Sequence, residues 1–328
     1  MAAETVIQFQ HADTELVGAL SVPSGRGPHP AIAFLHGYGP ENRDGGGLYR
    51  QMWRRFTANG FGCLCWDKPG VGESTGDWRK QSYEDRAHET IAAIHFLQER
   101  EEIDPARVGV WGLSQGGIIS VLTAVLSPDV AFIIPVSTPA VDFIEGEMFS
   151  TEATMRGEGA SDEDIRRACE VILKEMELIR DGAAIDEVIA VTAAIKDEPW
   201  FRTFDYITYG EDWTADKFES VKQHMVFDLR SHLLNVTCPV LAIWGELDSN
   251  VPAKGSLETF RENLENASTS DVTLTIFPMA DHCLFPTRTG GMREMLQSWK
   301  ELRGFVPGYL ETISEWLAAR FVPSSNQA

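Results

Sequence analysis

The feature that most constrains this chain lies at residues 108–117, where glycines join one apolar run directly to another. Its centre, Gly112-Leu-Ser114-Gln-Gly116, has the spacing G-x-S-x-G. The spacing alone is a weak signal, because it also arises by chance in chains of this composition. A strand before it and a helix after it are the setting of a nucleophile elbow, a tight turn that exposes a serine hydroxyl. We therefore predict Ser114 as a nucleophile, and a serine in a purely structural turn is the competing interpretation.

The rest of the chain alternates short apolar runs with longer amphipathic stretches. Strands are predicted at residues 4–10, 15–22, 30–35, 61–66, 107–113, 130–136, 239–244 and 272–277. Helices are predicted at residues 48–59, 82–100, 115–126, 257–264, 291–302 and 308–321. Repeated strand–helix units of this kind predict an α/β fold, with a mostly parallel central sheet and helices on both of its faces.

The alternation is interrupted at residues 139–234, which have helical patterns without strands. Ser161 is a good N-cap because Asp164 follows at the capping-box position. An apolar stripe at helical spacing comes next, formed by Ile165, Cys169, Ile172, Met176 and Ile179. Stripes of this kind are packing surfaces, so we expect a helical lid lying on the main domain. The prediction is a core at residues 1–138 and 235–328 with an inserted cap at residues 139–234, called the cap segment below.

Composition narrows the choice of partner. The 328 residues include 28 Lys+Arg and 49 Asp+Glu, which gives a net charge of −21. Binding of nucleic acid or of an anionic membrane surface needs clustered Lys and Arg, so the balance argues against both. The sequence has no run of 18 apolar residues that would predict a transmembrane helix. A small-molecule partner is expected, and the sequence does not predict the oligomeric state.

Cysteine usage bears on location. The five cysteines are an odd number and show neither a CxxC pair nor metal-ligand spacing. Reduced thiols in a cytoplasmic protein are therefore the expectation, and neither a metal ion nor another cofactor is predicted.

A nucleophilic serine needs a base and an orienting acid. His282 follows a predicted strand, and Asp248 follows the strand before it, at the sheet edge where sites of α/β proteins form. The chain order Ser114, Asp248, His282 is the one expected for this architecture. Glu246 stays open as an alternative acid, whereas Asp281 is adjacent to His282 and neighbours rarely face each other.

The segment Leu35-His36-Gly37-Tyr38-Gly39-Pro40 ends the third predicted strand. Its H-G-x-G sequence fits a loop that stabilises an oxyanion, so the imidazole of His36 is expected to be structural. Acyl transfer needs two preorganised donors, and we predict the backbone N–H groups of Tyr38 and Gln115. Gly37 is the alternative donor if the loop is shifted by one residue.

At this point the sequence resembles the α/β-hydrolase superfamily over nearly its whole length, and bacterial dienelactone-hydrolase-like serine esterases in particular. Three motifs of that group have counterparts here. These are residues 36–44 (HGYGPENRD), residues 67–76 (DKPGVGESTG) and residues 199–202 (PWFR). The resemblance implies the α/β-hydrolase fold, a helical cap and a carboxylesterase with a metal-free triad. The link after PWFR is expanded here by residues 207–232.

The predicted function is hydrolysis of carboxylic esters or lactones through an acyl-enzyme on Ser114, with His282 as base and Asp248 as the orienting acid. A thioesterase, a peptidase or an esterase of macrocyclic lactones such as macrolides would use the same three residues. A ligand receptor with little turnover is the alternative from another class, because fold does not dictate function. An acyltransferase is a further alternative.

Overall fold

The structure, a computed structural model, describes residues 4–204 and 213–322. Within them, eight strands form one sheet. The strands are β1 (Glu4–His11), β2 (Thr14–Ser21), β3 (His29–Leu35), β4 (Gly62–Trp66), β5 (Ile103–Leu113), β6 (Ile133–Val136), β7 (Val240–Gly245) and β8 (Val272–Phe277). Their order in the sheet is β1-β2-β4-β3-β5-β6-β7-β8. The β1–β2 and β2–β4 pairs are antiparallel and the other five are parallel, which confirms the predicted α/β-hydrolase-type sheet.

The helices of the described residues follow the predicted alternation. They are α1 (Leu48–Ala58), α2 (Tyr83–Gln98), α3 (Gln115–Leu126), α4 (Phe143–Gly157), α5 (Asp162–Arg180), α6 (Ile185–Ala193), α7 (Pro199–Phe204), α8 (Ala215–Val226), α9 (Leu229–Leu233), α10 (Ala253–Leu264), α11 (Met292–Lys300) and α12 (Tyr309–Phe321). A single 3-10 turn, Trp78–Lys80, precedes α2. Across residues 4–204 and 213–322, no helix combines the length and the apolarity needed to cross a membrane.

Strand β3 shows why the central strands are apolar throughout. Successive side chains of a strand point to opposite faces of the sheet. Ala31, Ala33 and Leu35 pack into the core cluster that includes α2, α3 and α10. Ile32 and Phe34 pack into the cluster on the other face, with α1 and α12. Both faces are therefore covered by helices, which places the candidate site residues at the carboxyl ends of the strands.

Some element bounds differ from the prediction. Strand β5 begins at Ile103 and not at residue 107, because Ile103 pairs with His29 across an irregularity in the ladder. The intervening residues 104–107 (DPAR) show no alternation of apolar and polar side chains, so they carry no strand pattern. Strand β6 begins at Ile133 and not at residue 130, and α10 begins at Ala253, four residues before the predicted start.

Helices α4–α9 occupy the part of the chain where the helical insertion was predicted, and Ser161 caps α5 as expected. The expectation that the stripe of α5 lies on the main domain was wrong. Ile172, Met176 and Ile179 instead join a cluster with side chains of α6 and α8. Ile165 joins a second cluster with Trp200 of α7. The stripe is thus covered by helices of the same segment, and the division into core and cap stays a prediction.

The cap segment meets the main body of the fold through aromatic rings. The ring of Tyr83, on α2, stacks on His224 of α8 with centroids 4.7 Å apart and planes 9° apart. The same tyrosine contacts Phe227 edge-on at 4.9 Å. Of the expansion noted at residues 207–232, residues 207–212 lie outside the described part, and most of the rest forms α8 and α9.

Candidate active site

Ser114 occupies a sharp turn between β5 and α3. Its backbone has φ 55° and ψ −119°, a conformation that residues with a side chain rarely adopt. The two flanking glycines explain how the turn closes. A Cβ at position 112 would collide with the carbonyl oxygen of Gly116, and a Cβ at position 116 would lie 2.6 Å from the carbonyl oxygen of Leu35. The G-x-S-x-G spacing therefore has a steric cause in this structure.

Asp248 and His282 come together at the ends of β7 and β8. His282 Nδ1 lies 2.8 Å from Asp248 Oδ2. The other carboxylate oxygen, Oδ1, accepts the backbone N–H groups of Asn250 at 2.8 Å and Val251 at 2.9 Å. All these bonds hold the carboxylate in one orientation. Because Nδ1 is occupied, Nε2 is the ring nitrogen that remains for a proton exchange with Ser114.

The two rival carboxylates point elsewhere. Glu246 is exposed, and its Oε2 accepts the backbone N–H of Met279 at 3.2 Å. Asp281 Oδ1 accepts the N–H groups of Cys283 and Phe285 at 2.9 and 3.0 Å. Of the three candidates, the geometry pairs Asp248 with His282.

The electrostatic environment of the Asp248–His282 pair suits a general base. Burial by itself lowers the pKa of His282, but the charge of Asp248 and the hydrogen bond to it outweigh burial, so the net shift is upward. A raised pKa means that the imidazole is a stronger proton acceptor than a free histidine. Asp248 thus both orients the imidazole ring of His282 and makes it a stronger base.

His36, the other histidine at a strand end, has a different environment. It is 2% exposed, and its Nε2 lies 2.7 Å from the carbonyl oxygen of Trp66 while its Nδ1 lies 3.2 Å from the hydroxyl of Tyr49. A carbonyl oxygen only accepts, so Nε2 must carry the proton. Burial, together with the charges of Lys68 and Arg86, lowers its pKa to about 3. The imidazole is therefore neutral and serves to fix the loop, in keeping with the expected structural role.

Ser114, His282, Tyr38 and Gln115 line one cavity of about 400 Å³. Gln115 is the first residue of α3, so its N–H has no acceptor within the helix and faces the N-terminal end. Apolar side chains supply much of the wall, namely Ile118, Phe143, Val221, Met225, Val251 and Met292. The structure thus brings all five predicted site residues to one place, with side chains of α4 and α8 opposite the strand ends.

A smaller cavity adjoins this one and shares Tyr38, Tyr83 and Gln115 with it. His224, of α8, also lines both cavities and places Nε2 3.5 Å from the amide nitrogen of Gln115. Burial and then the charge of Arg86 lower the pKa of His224 to about 4, so this imidazole is neutral at pH 7.

Sequence reasoning missed four residues of this neighbourhood: Lys68, Tyr83, Arg86 and His224. None belongs to a motif with a stated chemical role, and Tyr83 and Arg86 lie on α2, which was predicted as a helix without a functional role. Their position one turn apart, at the end nearest the site, is the only signal that the sequence offered.

The loop after β4 is held around Asp67. Its Oδ1 accepts the N–H of Arg43 at 2.7 Å, and its Oδ2 accepts the N–H of Glu73 at 3.1 Å. Gly72 has φ 55°, and a Cβ there would overlap the Asp67 carboxylate. Ser74 Oγ donates to the Asp67 carbonyl at 2.7 Å. The glycines and the serine of this motif therefore shape the loop that follows β4. Nowhere in residues 4–204 and 213–322 do three His, Cys, Asp or Glu side chains gather as a metal ion would need.

The chain matches a known protein family over most of its length. The model of the X-Pro dipeptidyl-peptidase (S15) family matches residues 13–282. The chain belongs to this family. It is a hydrolase of the serine type within the α/β-hydrolase clan, and its structural neighbours include esterases.

Individual relatives share between 14% and 31% of their residues with this chain over the matched regions. An Escherichia coli protein of 31.7 kDa from the traX-finO intergenic region is 26% identical over 277 residues, which cover 83% of this chain and 89% of that protein. The quorum-quenching protein AidA of Acinetobacter baumannii is 31% identical over 112 residues, or 34% of this chain and 36% of its own. A Pyrococcus furiosus esterase superposes with a TM-score of 0.62 at 14% identity, covering 97% and 91% of the two chains. That structural likeness shows the fold.

Proposed function

We propose that this protein hydrolyses carboxylic esters, lactones included, through an acyl-enzyme on Ser114. The observation that carries the proposal is the Asp248–His282 pair, joined at 2.8 Å, on the same cavity wall as a serine in an elbow conformation. Ser114 Oγ attacks the carbonyl carbon while His282 Nε2 takes its proton. The N–H groups of Tyr38 and Gln115 stabilise the oxyanion, and His282 then protonates the leaving alcohol. Water repeats the sequence to release the acid.

The cavity supports a substrate of modest size. A volume of about 400 Å³ is within the usual range for small-molecule sites, and its apolar wall favours an apolar acyl or alcohol group. Thioesters are chemically open to the same attack, so the ester preference rests on the esterase neighbours. The cap segment, residues 139–234, supplies part of the wall and in this proposal sets the size of the substrate.

Turnover of p-nitrophenyl esters from acetyl to palmitoyl tests the proposal. Wild type should release p-nitrophenol, and Ser114→Ala should reduce kcat by about 10⁴-fold or more, because no other group can form the acyl-enzyme. Ser270→Ala is the matched control, since Ser270 is exposed and remote from the cavity. Equal turnover by wild type and Ser114→Ala would rule the proposal out.

A peptidase is the second candidate, because the family includes X-Pro dipeptidyl-peptidases and three carboxylates line the same cavity. These carboxylates, Asp142, Glu147 and Asp228, are the kind of group that receives a substrate N-terminal ammonium. Comparing kcat/KM for glycyl-prolyl-p-nitroanilide and p-nitrophenyl butyrate separates the two candidates. An advantage of the anilide over the ester would favour the peptidase, and we expect the reverse.

We further propose a cytoplasmic location. The five cysteines form no disulfide and four of them are buried, which fits a reducing compartment. Detection of the native protein in the soluble cytoplasmic fraction of its source cells would support this, and detection in an exported fraction would contradict it.

A further inference from the structure

Lys68 makes an unusual contact with the backbone beside the nucleophile. It follows Asp67 at the end of β4 and is only 3% exposed. Its ammonium donates to the carbonyl oxygen of Gly37 at 2.6 Å and to that of Gly39 at 2.7 Å. Its own backbone N–H is held by the Glu41 carbonyl at 3.2 Å, so the lysine is anchored at both ends. Two carbonyls that flank Tyr38 thus share one buried cation.

Arg86 makes the corresponding contact from α2. It is 9% exposed, and its Nη2 donates to the carbonyl oxygen of His36 at 2.8 Å. Its Nη1 donates to Oε1 of Gln115, the residue that supplies the other predicted oxyanion donor. The carbonyls of His36, Gly37 and Gly39 therefore all accept hydrogen bonds from buried cationic side chains.

Because the peptide group is planar, a hydrogen bond to a carbonyl also affects the N–H of the next residue. In a trans peptide the C=O and the next residue's N–H lie in one plane and point in opposite directions. The carbonyl of Gly37 belongs to the same peptide group as the N–H of Tyr38, and that of His36 to the same group as the N–H of Gly37. A donor on each carbonyl fixes the direction of each N–H and also polarises it into a stronger donor.

We propose that Lys68 and Arg86 are positioning residues that preorganise the oxyanion hole. Lys68 directs and polarises the Tyr38 N–H, and Arg86 does the same for the Gly37 N–H and holds the side chain of Gln115. This inference rests on the proposed acyl transfer at Ser114. Lys68 has the larger part, because the peptide group it contacts carries the principal donor, Tyr38.

The electrostatic setting supports a role beyond packing. Burial, and then repulsion from Arg86, lowers the pKa of Lys68 well below its ordinary value, and Glu41 and Glu89 offset this only in part. Burial likewise lowers the pKa of Arg86. Two cations within reach of one short loop are costly to desolvate. Negative charge developing on the substrate oxygen would be attracted by both, which is the arrangement that oxyanion stabilisation requires.

The test compares Lys68→Met and Arg86→Met on p-nitrophenyl butyrate. Lys68→Met should lower kcat by about 10²-fold with KM changed less than threefold, as expected for loss of a contact made in the transition state. Arg86→Met should lower kcat by a smaller factor. A loss for Arg86→Met equal to or larger than that for Lys68→Met would overturn the assignment of Tyr38 as principal donor.

An inhibitor pair separates positioning from general damage. A hexyl trifluoromethyl ketone adds to the serine hydroxyl and forms a tetrahedral oxyanion, whereas hexyl methyl ketone serves as its weakly electrophilic, ground-state counterpart. In Lys68→Met the affinity for the first should fall in proportion to kcat/KM, and affinity for the second should stay within about twofold. Equal losses for both ketones would overturn the proposal.

Controls keep the outcome interpretable. The exposed Lys80→Met and Arg54→Met remove the same side chains away from the loop and should match wild type. Lys68→Gln keeps two N–H donors without the charge, so it gives a second readout if Lys68→Met unfolds, and wild-type kcat in that variant would contradict the role of the charge. Wild-type turnover that persists in Ser114→Ala would count against the proposed function itself, whereas serine-dependent turnover unaffected by Lys68 variants would refute only this inference.

Discussion

Two buried histidines lie at the same edge of the sheet, and their pKa values are shifted in opposite directions. His36, after β3, contacts a carbonyl and a hydroxyl and has its pKa lowered to about 3. His282, after β8, contacts the carboxylate of Asp248 and has a raised pKa. Burial lowers the pKa of both histidines, and their charged neighbours then separate them. Lys68 and Arg86 lower the pKa of His36 further, whereas the charge of Asp248 raises that of His282.

Among changes to the partners of these two histidines, removal of the Asp248 carboxylate should have the largest effect on activity. Asp248→Asn is expected to lower kcat by about 10⁴-fold, because an amide no longer holds the imidazole in the required tautomer. Glu246→Gln is the matched control, since Glu246 is exposed and contacts the Met279 N–H instead of the histidine. Both are measured by p-nitrophenyl butyrate turnover. Activity of Asp248→Asn close to that of Glu246→Gln would exclude Asp248 as the orienting acid.

The pH dependence of kcat/KM should report the raised pKa of His282. Catalysis needs neutral His282, whose pKa lies above the ordinary value of 6.5, so kcat/KM should decline about tenfold per pH unit below that raised pKa. Asp248→Asn should move the acid limb of its residual activity to lower pH, because the raising charge is gone. The measurement is kcat/KM from pH 5 to 9 for both proteins, and an unmoved limb would assign the titration to another group.

His36 should instead affect stability. With a pKa of 6.5 unfolded and about 3 folded, it binds more protons in the unfolded chain between those values, so its contribution is complete above pH 6.5 and is lost as pH falls toward 3. This linkage amounts to about 2 kcal/mol between pH 7 and pH 5. His36→Gln should lose that part of the pH dependence, measured by urea unfolding at both values. The same pH dependence in wild type and variant would show that His36 is not the titrating group.

The smallest effect is expected at Tyr49. Tyr49→Phe removes the hydroxyl contact to His36 Nδ1 but leaves the bond from Nε2 to the Trp66 carbonyl. A loss of about 1 kcal/mol in the free energy of unfolding follows, with kcat nearly unchanged. Chemical denaturation and ester turnover check it together, and a large drop in kcat would mean that the loop depends on Tyr49 more than the contacts imply.

The catalytic candidates could be located from sequence because each follows a strand in a repeated strand–helix unit. Ser114 also carries its own steric signature in Gly112 and Gly116. The same reasoning expected a structural His36 from the H-G-x-G loop. Local pattern and chain order were sufficient for these positions.

Contacts between residues far apart in the sequence could not be predicted. Lys68 lies 31 residues from Gly37, and Arg86 lies 50 residues from His36, so no local pattern joins them. The stripe of α5 was correctly recognised as apolar, but its partners were wrongly assigned. An amphipathic pattern states that a face is buried and says nothing of which of several neighbouring helices buries it.

Helices α4–α9 lie between β6 and β7 in the chain and leave the pairing of these strands intact. These strands are neighbours in the sheet, with Ile133 opposite Val240 and Val136 opposite Ile243. Two parallel neighbours need only a crossover of about a dozen residues or more, so the register of the sheet does not depend on the length of chain between them. The intervening helices can therefore differ in length or packing, and so change the wall of the cavity, without moving the strand ends that carry Ser114, Asp248 and His282.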